Sequence, residues 1–199
     1  MSSALVLASV TAVLKDLLEN GLAGRAVTTA LGGDAAVSTL PPDRVSSGAD
    51  ERCQLNLFLY AVRPRQTLQL DGAGPADGDA PLAIEMHYLV SAYGQQDLQA
   101  EVLLGHAMQL LQSHRTIGRD RVSAVLSGLS ARRERGQVSA PLAALRSSGL
   151  GDRIERLEIE PTFLSADEIS RLWSAFQAKY RPSASYRVFS VPLVGAATS

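Results

Sequence analysis

Four stretches of the chain alternate between apolar and polar residues with a period of two, which predicts four β-strands. Their sequences are CQLNLFLYAV (53–62), PLAIEMHYLVSAY (81–93), RIERLEIEP (153–161) and SASYRVFSVPLV (183–194). The first stretch places apolar residues on both of its faces, which is typical of a strand that is covered on both sides.

The alternation also predicts which side chains share one face of each strand. Strand by strand, these sets are Leu55, Leu57, Leu59 and Ala61, then Leu82, Ile84, Met86, Tyr88 and Val90, then Leu157 and Ile159, then Tyr186 and Val188. The sets of the last two strands, Leu157 with Ile159 and Tyr186 with Val188, are predicted to face the core. Arg156, Glu158 and Glu160 fall on the opposite face of the third strand. That strand therefore has one solvated side, which indicates a position near a sheet edge.

Apolar residues at a spacing of three or four predict three helices. The first is an amphipathic helix within residues 1–22, the second covers about residues 96–113, and the third starts after Ser165. Ser165 and Glu168 have the spacing of a capping box, in which each side chain accepts a hydrogen bond from the other residue's backbone N–H.

The order of these elements predicts a fold of the α/β (α+β) class. We expect one domain over residues 1–199, with a mixed β-sheet packed by several α-helices. A short strand at residues 35–40 and one or two short helices within residues 114–149 complete the prediction. A chain of 199 residues has room for a sizeable core.

Composition narrows the range of functions. The formal net charge is -1 and charged residues make up 20% of the chain, which argues against a general polyanion binder. The one cysteine, Cys53, excludes an internal disulfide and suits a reducing compartment. No positive side chain precedes the N-terminal apolar run, and no stretch reaches the ~18 apolar residues of a membrane span. We therefore expect a soluble protein made in the cytoplasm.

Motifs of catalysis and metal binding are absent from the sequence. His106 and His114 are too far apart along a helix to share one ion, and His87 lies in a predicted strand. The sequence has neither the G-x-S-x-G turn of a hydrolase nor the phosphate loop of a nucleotide-binding protein. We therefore predict no enzymatic activity, no cofactor and no metal. A small hydrolase whose site leaves no motif is the alternative.

The segment RPRQTLQLDGAGPADGDA, residues 63–80, separates the first two strands and is rich in Gly, Pro and Asp. It is longer than the roughly two to five residues of an ordinary hairpin loop, and such long loops are usually functional or disordered. The segment lacks the EF-hand spacing and its terminal Glu, and Pro75 interrupts it, so we predict no calcium site. Its charged residues are Arg63, Arg65, Asp71, Asp77 and Asp79.

A basic segment runs from Arg115 to Arg135, with six arginines, among them Arg132 and Arg133, against two carboxylates. Such a segment could contact nucleic-acid phosphates. However, no aromatic residue is interleaved with the arginines to stack on bases. A solvated face or a protein–protein contact is the favoured interpretation, since arginine is enriched in interfaces.

The C-terminal stretch KYRPSASYRVFSVPLV, residues 179–194, combines aromatic and cationic residues. Tyr180, Arg181 and Arg187 either form a patch that binds a ligand or reach the surface from a turn and a strand. The residues alone leave both interpretations open.

Four stretches in order carry a resemblance to a known family. They are the amphipathic N-terminal helix, LNLFLYAVRP, PLAIEMHYLVSAYG with the leucine-rich helix after it, and LSADEISRLWSAFQAKYRPSASYRVFSV. In these stretches the chain resembles the tail-cap, or tail-terminator-like, proteins of extracellular contractile injection systems, which are headless phage-tail-like particles. The last stretch is the most specific, with L-W-S-A on a helix, then Y-R-P-S, then a closing strand Y-R-V.

The resemblance implies a tail-terminator-like fold and a structural role. Such a cap is expected to form a ring, a homo-hexamer, at the distal end of the inner tube and contractile sheath, where it stops polymerisation and holds the sheath to the tube. Its partners would be tube and sheath proteins, with no membrane and no nucleic acid. Assembly would take place in the cytoplasm, in a particle that is either retained or released. The alternative is a terminator or adaptor of a DNA-carrying (pro)phage tail.

The resemblance also makes surface residues candidate contacts to other subunits and partners. Strand addition to a free sheet edge would let the sheath bind RLEIEP, and residues 63–80 would reach a neighbour. The predicted contact residues are Arg63, Arg65, Asp71, Asp77, Asp79, Arg132, Arg133, Arg156, Glu158, Tyr180, Arg181 and Arg187.

Overall fold

A computed structural model describes residues 5–45, 48–64, 84–128 and 154–192. The helices of this part are α1 (Val6–Leu22), α2 (Arg25–Leu31), α3 (Gln99–Ser113), α4 (Arg119–Gly128) and α5 (Ala166–Ala175). The strands are β1 (Ala36–Ser38), β2 (Gln54–Pro64), β3 (Ile84–Tyr93), β4 (Thr116–Gly118), β5 (Ile154–Thr162) and β6 (Ser183–Pro192). Two short 3₁₀ turns, Pro42–Arg44 and Gly48–Asp50, lie between β1 and β2.

The strands form one six-stranded sheet in the order β1-β2-β3-β6-β5-β4. β1 pairs with β2 in parallel, and every other neighbouring pair is antiparallel. β2 and β3, which flank the long segment of the sequence analysis, are direct neighbours. The mixed sheet with its helices confirms the predicted fold class.

One face of the sheet carries the main core, where α1, α3 and α4 pack on the strands and on one another. Fully burying an aliphatic or aromatic side chain contributes about 1.5–3 kcal/mol, so this face supplies most of the stability. The strand residues that fill it, each at most 2% exposed, include Leu55, Leu57, Met86, Tyr88, Val90, Leu157, Ile159 and Val188.

Helix α1 is the predicted amphipathic helix, and Val10, Leu14, Leu17 and Leu18 are its buried stripe. Its Thr11 hydroxyl donates to the Leu7 carbonyl at 2.9 Å and lies 2.8 Å from the Tyr88 hydroxyl of β3. The helix can pack closely on α3 because Gly21 has no side chain where it meets Leu110. The buried stripe and this close approach fix α1 between the sheet and α3.

A β-bulge at Tyr60 changes the faces of β2. Leu59 pairs with Tyr88, and the next paired residue, Ala61, lies opposite His87. Because the extra residue reverses the alternation, Ala61 shares a face with His87 and not with Leu55. The prediction that Ala61 points the same way as Leu55 is wrong for this reason.

Two short elements have no counterpart in the predicted order. Helix α2 shows no apolar periodicity, since Leu31 is its one buried residue among those described. β4 spans Thr116–Gly118 and is held by its pairing with Arg156–Glu158 of β5, and three residues are too few to show an alternating pattern. Helix α4 agrees with the short helix expected in this region.

β5 lies between β6 and β4, so the prediction that RLEIEP forms a sheet edge is wrong. β4 pairs with Arg156–Glu158, and the N–H of Ile159 donates to the carbonyl of Arg115 at 2.7 Å. Further along the strand, Pro161 has no N–H to offer. β5 is therefore closed to an added strand over this stretch.

The capping box at the start of α5 is present as predicted. The Ser165 hydroxyl accepts the N–H of Glu168 at 3.3 Å, and the Glu168 carboxylate accepts the N–H of Ser165 at 2.8 Å. This backbone hydrogen bond holds the pKa of Glu168 below its usual value. Helix α5 packs on the sheet face opposite the main core, where Phe176 meets Phe58 edge-on at 5.3 Å.

Candidate assembly surface

The sheet face opposite the main core brings together several of the predicted contact residues. In the strand register, Arg63 of β2 lies opposite Glu85 of β3. Arg187 of β6 lies opposite His87 of β3 on one side and Glu160 of β5 on the other. Arg156 and Glu158 point the same way, because the residues that alternate with them fill the core. We call this group the ionic face; it comprises Arg63, Glu85, His87, Arg156, Glu158, Glu160 and Arg187.

Arg187 is the centre of the ionic face. One of its guanidinium nitrogens lies 2.6 Å from the Glu160 carboxylate, and the other lies 3.9 Å from Glu85. Glu85 also lies 2.7 Å from Nε2 of His87. The guanidinium sits 5.2 Å from the centre of the Phe189 ring, a cation–π distance. The charged groups of three neighbouring strands are thus linked.

Arg156 forms a second set of ion pairs on β5. Its Nε lies 2.8 Å from Glu158 and its Nη1 lies 3.0 Å from Glu155. The hydrogen bond to Glu158, with smaller contributions from the charges of both carboxylates, raises the pKa of Arg156 above its ordinary value. Exposed pairs of this kind contribute little to stability. They orient the charges that the surface presents.

The two ends of this sheet face differ in what covers them. Towards Leu89 and Tyr93, each 2% exposed, the face is buried beneath α5 and the residues around it. Towards the ionic face the side chains are solvated, with the side chains of Arg187 and Glu160 40% and 49% exposed. The uncovered end therefore offers charged groups that another molecule can contact.

Tyr180 and Arg181 lie in the turn between α5 and β6. Tyr180 is 59% exposed, with its ring edge-on to Trp173 at 5.8 Å. The Arg181 guanidinium is used within the chain, where it pairs with Glu51 and lies 5.5 Å from the centre of the Tyr93 ring. Of these two predicted contact residues, Tyr180 is the one whose side chain is accessible to another molecule.

Residues 9–199 match the family described as the Pvc16 N-terminal domain. The chain belongs to this family. The resemblance to tail-terminator-like proteins of contractile injection systems is thereby confirmed. No curated protein is significantly similar to this Pvc16 N-terminal domain chain.

Two solved structures are similar to this member of the Pvc16 N-terminal domain family. One is the PVC sheath/tube terminator of an extracellular contractile injection system in its extended state, with a TM-score of 0.52 and 17% identity over 98% of this chain and 62% of that chain. The other is the tube-terminating cap of the anti-feeding prophage, with a TM-score of 0.44 and 17% identity over 80% of this chain and 48% of that chain. The chain spans less than two thirds of the length of either structure.

The described part of this Pvc16 N-terminal domain holds no group of His, Cys, Asp and Glu side chains that could bind a metal ion. His114 contacts the Leu110 carbonyl at 2.9 Å through Nδ1, at the end of α3. Burial raises the pKa of the Cys53 thiol, which disfavours the reactive thiolate. Within the same residues, no helix is long and apolar enough to cross a membrane.

The contact role of all twelve predicted residues stays a prediction, and half of them lie outside the described residues. They are Arg65, Asp71, Asp77, Asp79, Arg132 and Arg133.

One surface feature of this family member was not among the predicted contacts. Phe163, between β5 and α5, is 97% exposed. Its sequence signal is the apolar pair Phe163-Leu164 directly before the N-cap Ser165. Leu164 directly precedes the N-cap Ser165, which is the position of the apolar residue in a hydrophobic staple at a helix N-terminus. Phe163 has no comparable role in the helix.

Proposed function

We propose that the chain is a structural cap, or terminator, of a contractile phage-tail-like injection system. Its subunits form a ring, a homo-hexamer, at the distal end of the inner tube and sheath, where the ring ends polymerisation and anchors the sheath to the tube. The observation that carries the proposal is the family match over residues 9–199. The shared fold with a sheath/tube terminator over 98% of this chain supports it.

Ring formation and termination follow from the same physical rule. A head-to-tail contact gives a closed ring when its rotation closes, and an open filament when it does not. A cap binds the last layer of a tube or sheath and presents no equivalent surface to a further layer. Its function needs shape and contacts, with no cofactor and no reactive centre. We propose on this basis that the chain is not an enzyme.

The ionic face is the surface that we assign to the contact between subunits. Arg156 and Arg187 are linked to Glu158 and Glu160 within one subunit by exposed pairs, which can be exchanged for pairs with a neighbour at little cost. Arginine is also enriched in protein interfaces. Residues 63–80, which begin at Arg63 on this face, remain our candidate for reaching a neighbouring molecule.

The free edge of β2 replaces RLEIEP as the candidate for strand addition by a sheath subunit. β1 covers β2 only at Gln54–Asn56, and no strand of the described chain pairs with the same edge from Leu57 to Pro64. Unpaired backbone groups along such an edge can bind an extended segment of a partner.

Particles from a strain that lacks this chain provide the test. Negative-stain images should show over-long or ragged tubes, and the full chain supplied on a plasmid should restore the normal length. The same strain supplied with a variant lacking residues 71–79 tests the loop, since normal length would exclude it as the contact. Normal particles in the deletion strain would overturn the proposed function, and capsids with DNA would favour a (pro)phage tail.

A further inference from the structure

The two ends of α3 carry opposite charges. Asp97 lies just before the helix and Glu101 lies in its first turn, whereas Arg115 follows its C-terminus, and all three are exposed. The helix has 15 residues, so the two ends lie about 20 Å apart, roughly twice the distance over which salt screens exposed charges. The charges of the two ends therefore do not neutralise each other within one subunit.

The C-terminal end of α3 continues into a group of exposed arginines. Arg115 directly precedes β4, and Arg119 and Arg121 lie at the start of α4, with one carboxylate between them. β4 pairs with Arg156–Glu158 of β5, so this group adjoins the ionic face. We call it the basic end; it comprises Arg115, Arg119 and Arg121.

The N-terminal end of α3 belongs to a group of exposed carboxylates. The side-chain amide of Gln99 donates to the carbonyl of Leu31 at 2.7 Å, which holds the end of α2 against the start of α3. Asp34 follows α2, and Asp97 and Glu101 flank Gln99 in the sequence. The residues directly before and after each of these carboxylates carry no positive charge. We call this group the acidic end; it comprises Asp34, Asp97 and Glu101.

Local stability does not account for all of these charges. The dipole of a helix favours carboxylates at its N-terminus and cations at its C-terminus, which explains Asp97 and Glu101. However, Arg119 and Arg121 lie in the first turn of α4, where the dipole opposes them. Within the described part of the chain, no residue of either end forms an ion pair. Both ends are therefore available to another molecule.

A second copy of this chain offers the complementary charge to each end. A head-to-tail ring needs two different surfaces on each subunit, of which one binds the other surface of the next subunit. The ionic face does not set this direction by charge alone, because its three arginines balance its three glutamates. The acidic end and the basic end differ in sign and lie at opposite ends of one helix, as a head-to-tail contact requires.

From these observations, and resting on the proposed ring-forming cap, we infer that the acidic end of one subunit binds the basic end of the next. Arginine suits such a contact, because its planar guanidinium can bond a carboxylate through two N–H groups. Opposite charges across the contact also disfavour the reversed arrangement, in which like charges would meet. The basic end adjoins the ionic face, so both surfaces belong to the same junction between subunits.

Charge reversal at each end tests the inference. Arg119→Glu with Arg121→Glu makes the basic end acidic, and Asp97→Lys with Glu101→Lys makes the acidic end basic. Each double variant alone places like charges together at every junction, so its association should be at least about tenfold weaker than that of the unaltered chain. Analytical ultracentrifugation over a concentration series measures the association, and added salt should reduce the difference.

Mixing the two double variants in equal amounts is the decisive measurement. The altered ends of the two variants carry opposite charges, and so do their unaltered ends, so the variants can alternate around a ring with an even number of subunits. Association should recover most of the lost affinity, and the recovered species should be larger than a dimer. A misfolded variant could not be rescued in this way.

Arg25→Glu with Arg171→Glu is the matched control, because it reverses two exposed arginines outside both ends. Its association should equal that of the unaltered chain, and equal weakening in the control would overturn the inference. The inference would also fail if the unaltered chain stayed monomeric, if either double variant associated normally, or if mixing gave no recovery or only dimers.

The deletion strain separates the contact from the cap function. Over-long tubes in that strain, together with no recovery on mixing, would uphold the cap function and overturn the inferred contact. Recovery on mixing, together with normal particles in the deletion strain, would uphold the contact and overturn the cap function.

Discussion

Arg181 and Glu51, which are 130 positions apart in the chain, form an ion pair in which Nη2 and Oε2 lie 2.5 Å apart. The other carboxylate oxygen of Glu51 accepts the N–H of Gly94 at 3.3 Å. The pair thus joins the turn after α5, the segment before β2 and the end of β3. The side chains of Arg181 and Glu51 are 19% and 12% exposed, so water screens the ion pair only in part.

Glu51→Gln is expected to destabilise the fold, because it leaves the Arg181 guanidinium largely buried without a counter-charge. Breaking a fully buried pair costs about 3–5 kcal/mol, and partial exposure reduces this to about 2 kcal/mol. Urea unfolding followed by circular dichroism measures the loss. Glu158→Gln, at an exposed pair, should cost less than about 1 kcal/mol. Equal losses in the two variants would contradict the structural role of the Glu51 pair.

The Glu51–Arg181 pair marks the limit of what the sequence predicts. The strands and the α5 cap follow from local spacing, and they are present in the structure. Nothing in the sequence indicates that Arg181 and Glu51 form a pair, because the contact arises only when the sheet brings distant segments together. From the sequence alone, Arg181 is equally suited to a partner outside the chain, and only the folded structure places it beside Glu51.

The same limit explains the errors in β2 and β5. Alternation predicts the faces of β2 up to Tyr60, where one extra residue reverses them without any change in composition. The charged outer residues of β5 predict a solvated side correctly, but a solvated face is not a free edge. The short β4 that covers the edge carries no pattern of its own.

Tyr88 is expected to make stability fall at alkaline pH. It is 0% exposed, and burial raises its pKa, against a smaller opposing effect of the hydrogen bond with Thr11. Below the ordinary tyrosine value of 10.0 the ring is neutral in both states, and above it only the unfolded chain loses the proton. Unfolding then becomes easier, by up to about 1.4 kcal/mol per pH unit for this residue.

Tyr88→Phe should therefore make the free energy of unfolding less dependent on pH above pH 10. Urea titrations at several alkaline pH values give the slope. Burial also raises the pKa of Tyr93 and Tyr186, so part of the slope should remain in the variant. Tyr180→Phe, at an exposed ring, is the matched control. An unchanged slope in Tyr88→Phe would show that Tyr88 does not control the alkaline transition.

Gly21 and Gly105 should respond in opposite ways to alanine. Gly105 lies within α3 with nothing within 4 Å of an added Cβ, so Gly105→Ala should stabilise the fold by about 0.5–1 kcal/mol through helix propensity. At Gly21 an added Cβ would overlap the side chain of Leu110, and the resulting shift of α1 against α3 should cancel or exceed that gain. Thermal unfolding of both variants measures the difference. Equal stabilisation would mean that the two helices do not need their close approach.

Arg63→Glu is expected to weaken ring assembly without unfolding the subunit. Arg63 is exposed at the end of β2, where a surface substitution should change stability by no more than about 0.5 kcal/mol. If the ionic face is the contact between subunits, reversing the charge of Arg63 places like charges next to each other across the interface. We expect association to weaken about tenfold, with an effect that shrinks as salt is added. Mass photometry of the purified chain over a concentration series measures the association.

Arg25→Glu makes the same charge change at an exposed residue of α2, the helix that packs against α3. If net charge alone governed association, both variants would weaken it equally. If the ionic face is the contact, Arg63→Glu should weaken it and Arg25→Glu should not. Rings of Arg63→Glu that form at the concentration of the unaltered chain would assign the subunit contact to another surface, and would leave the charge network of Arg187 as an arrangement within one subunit.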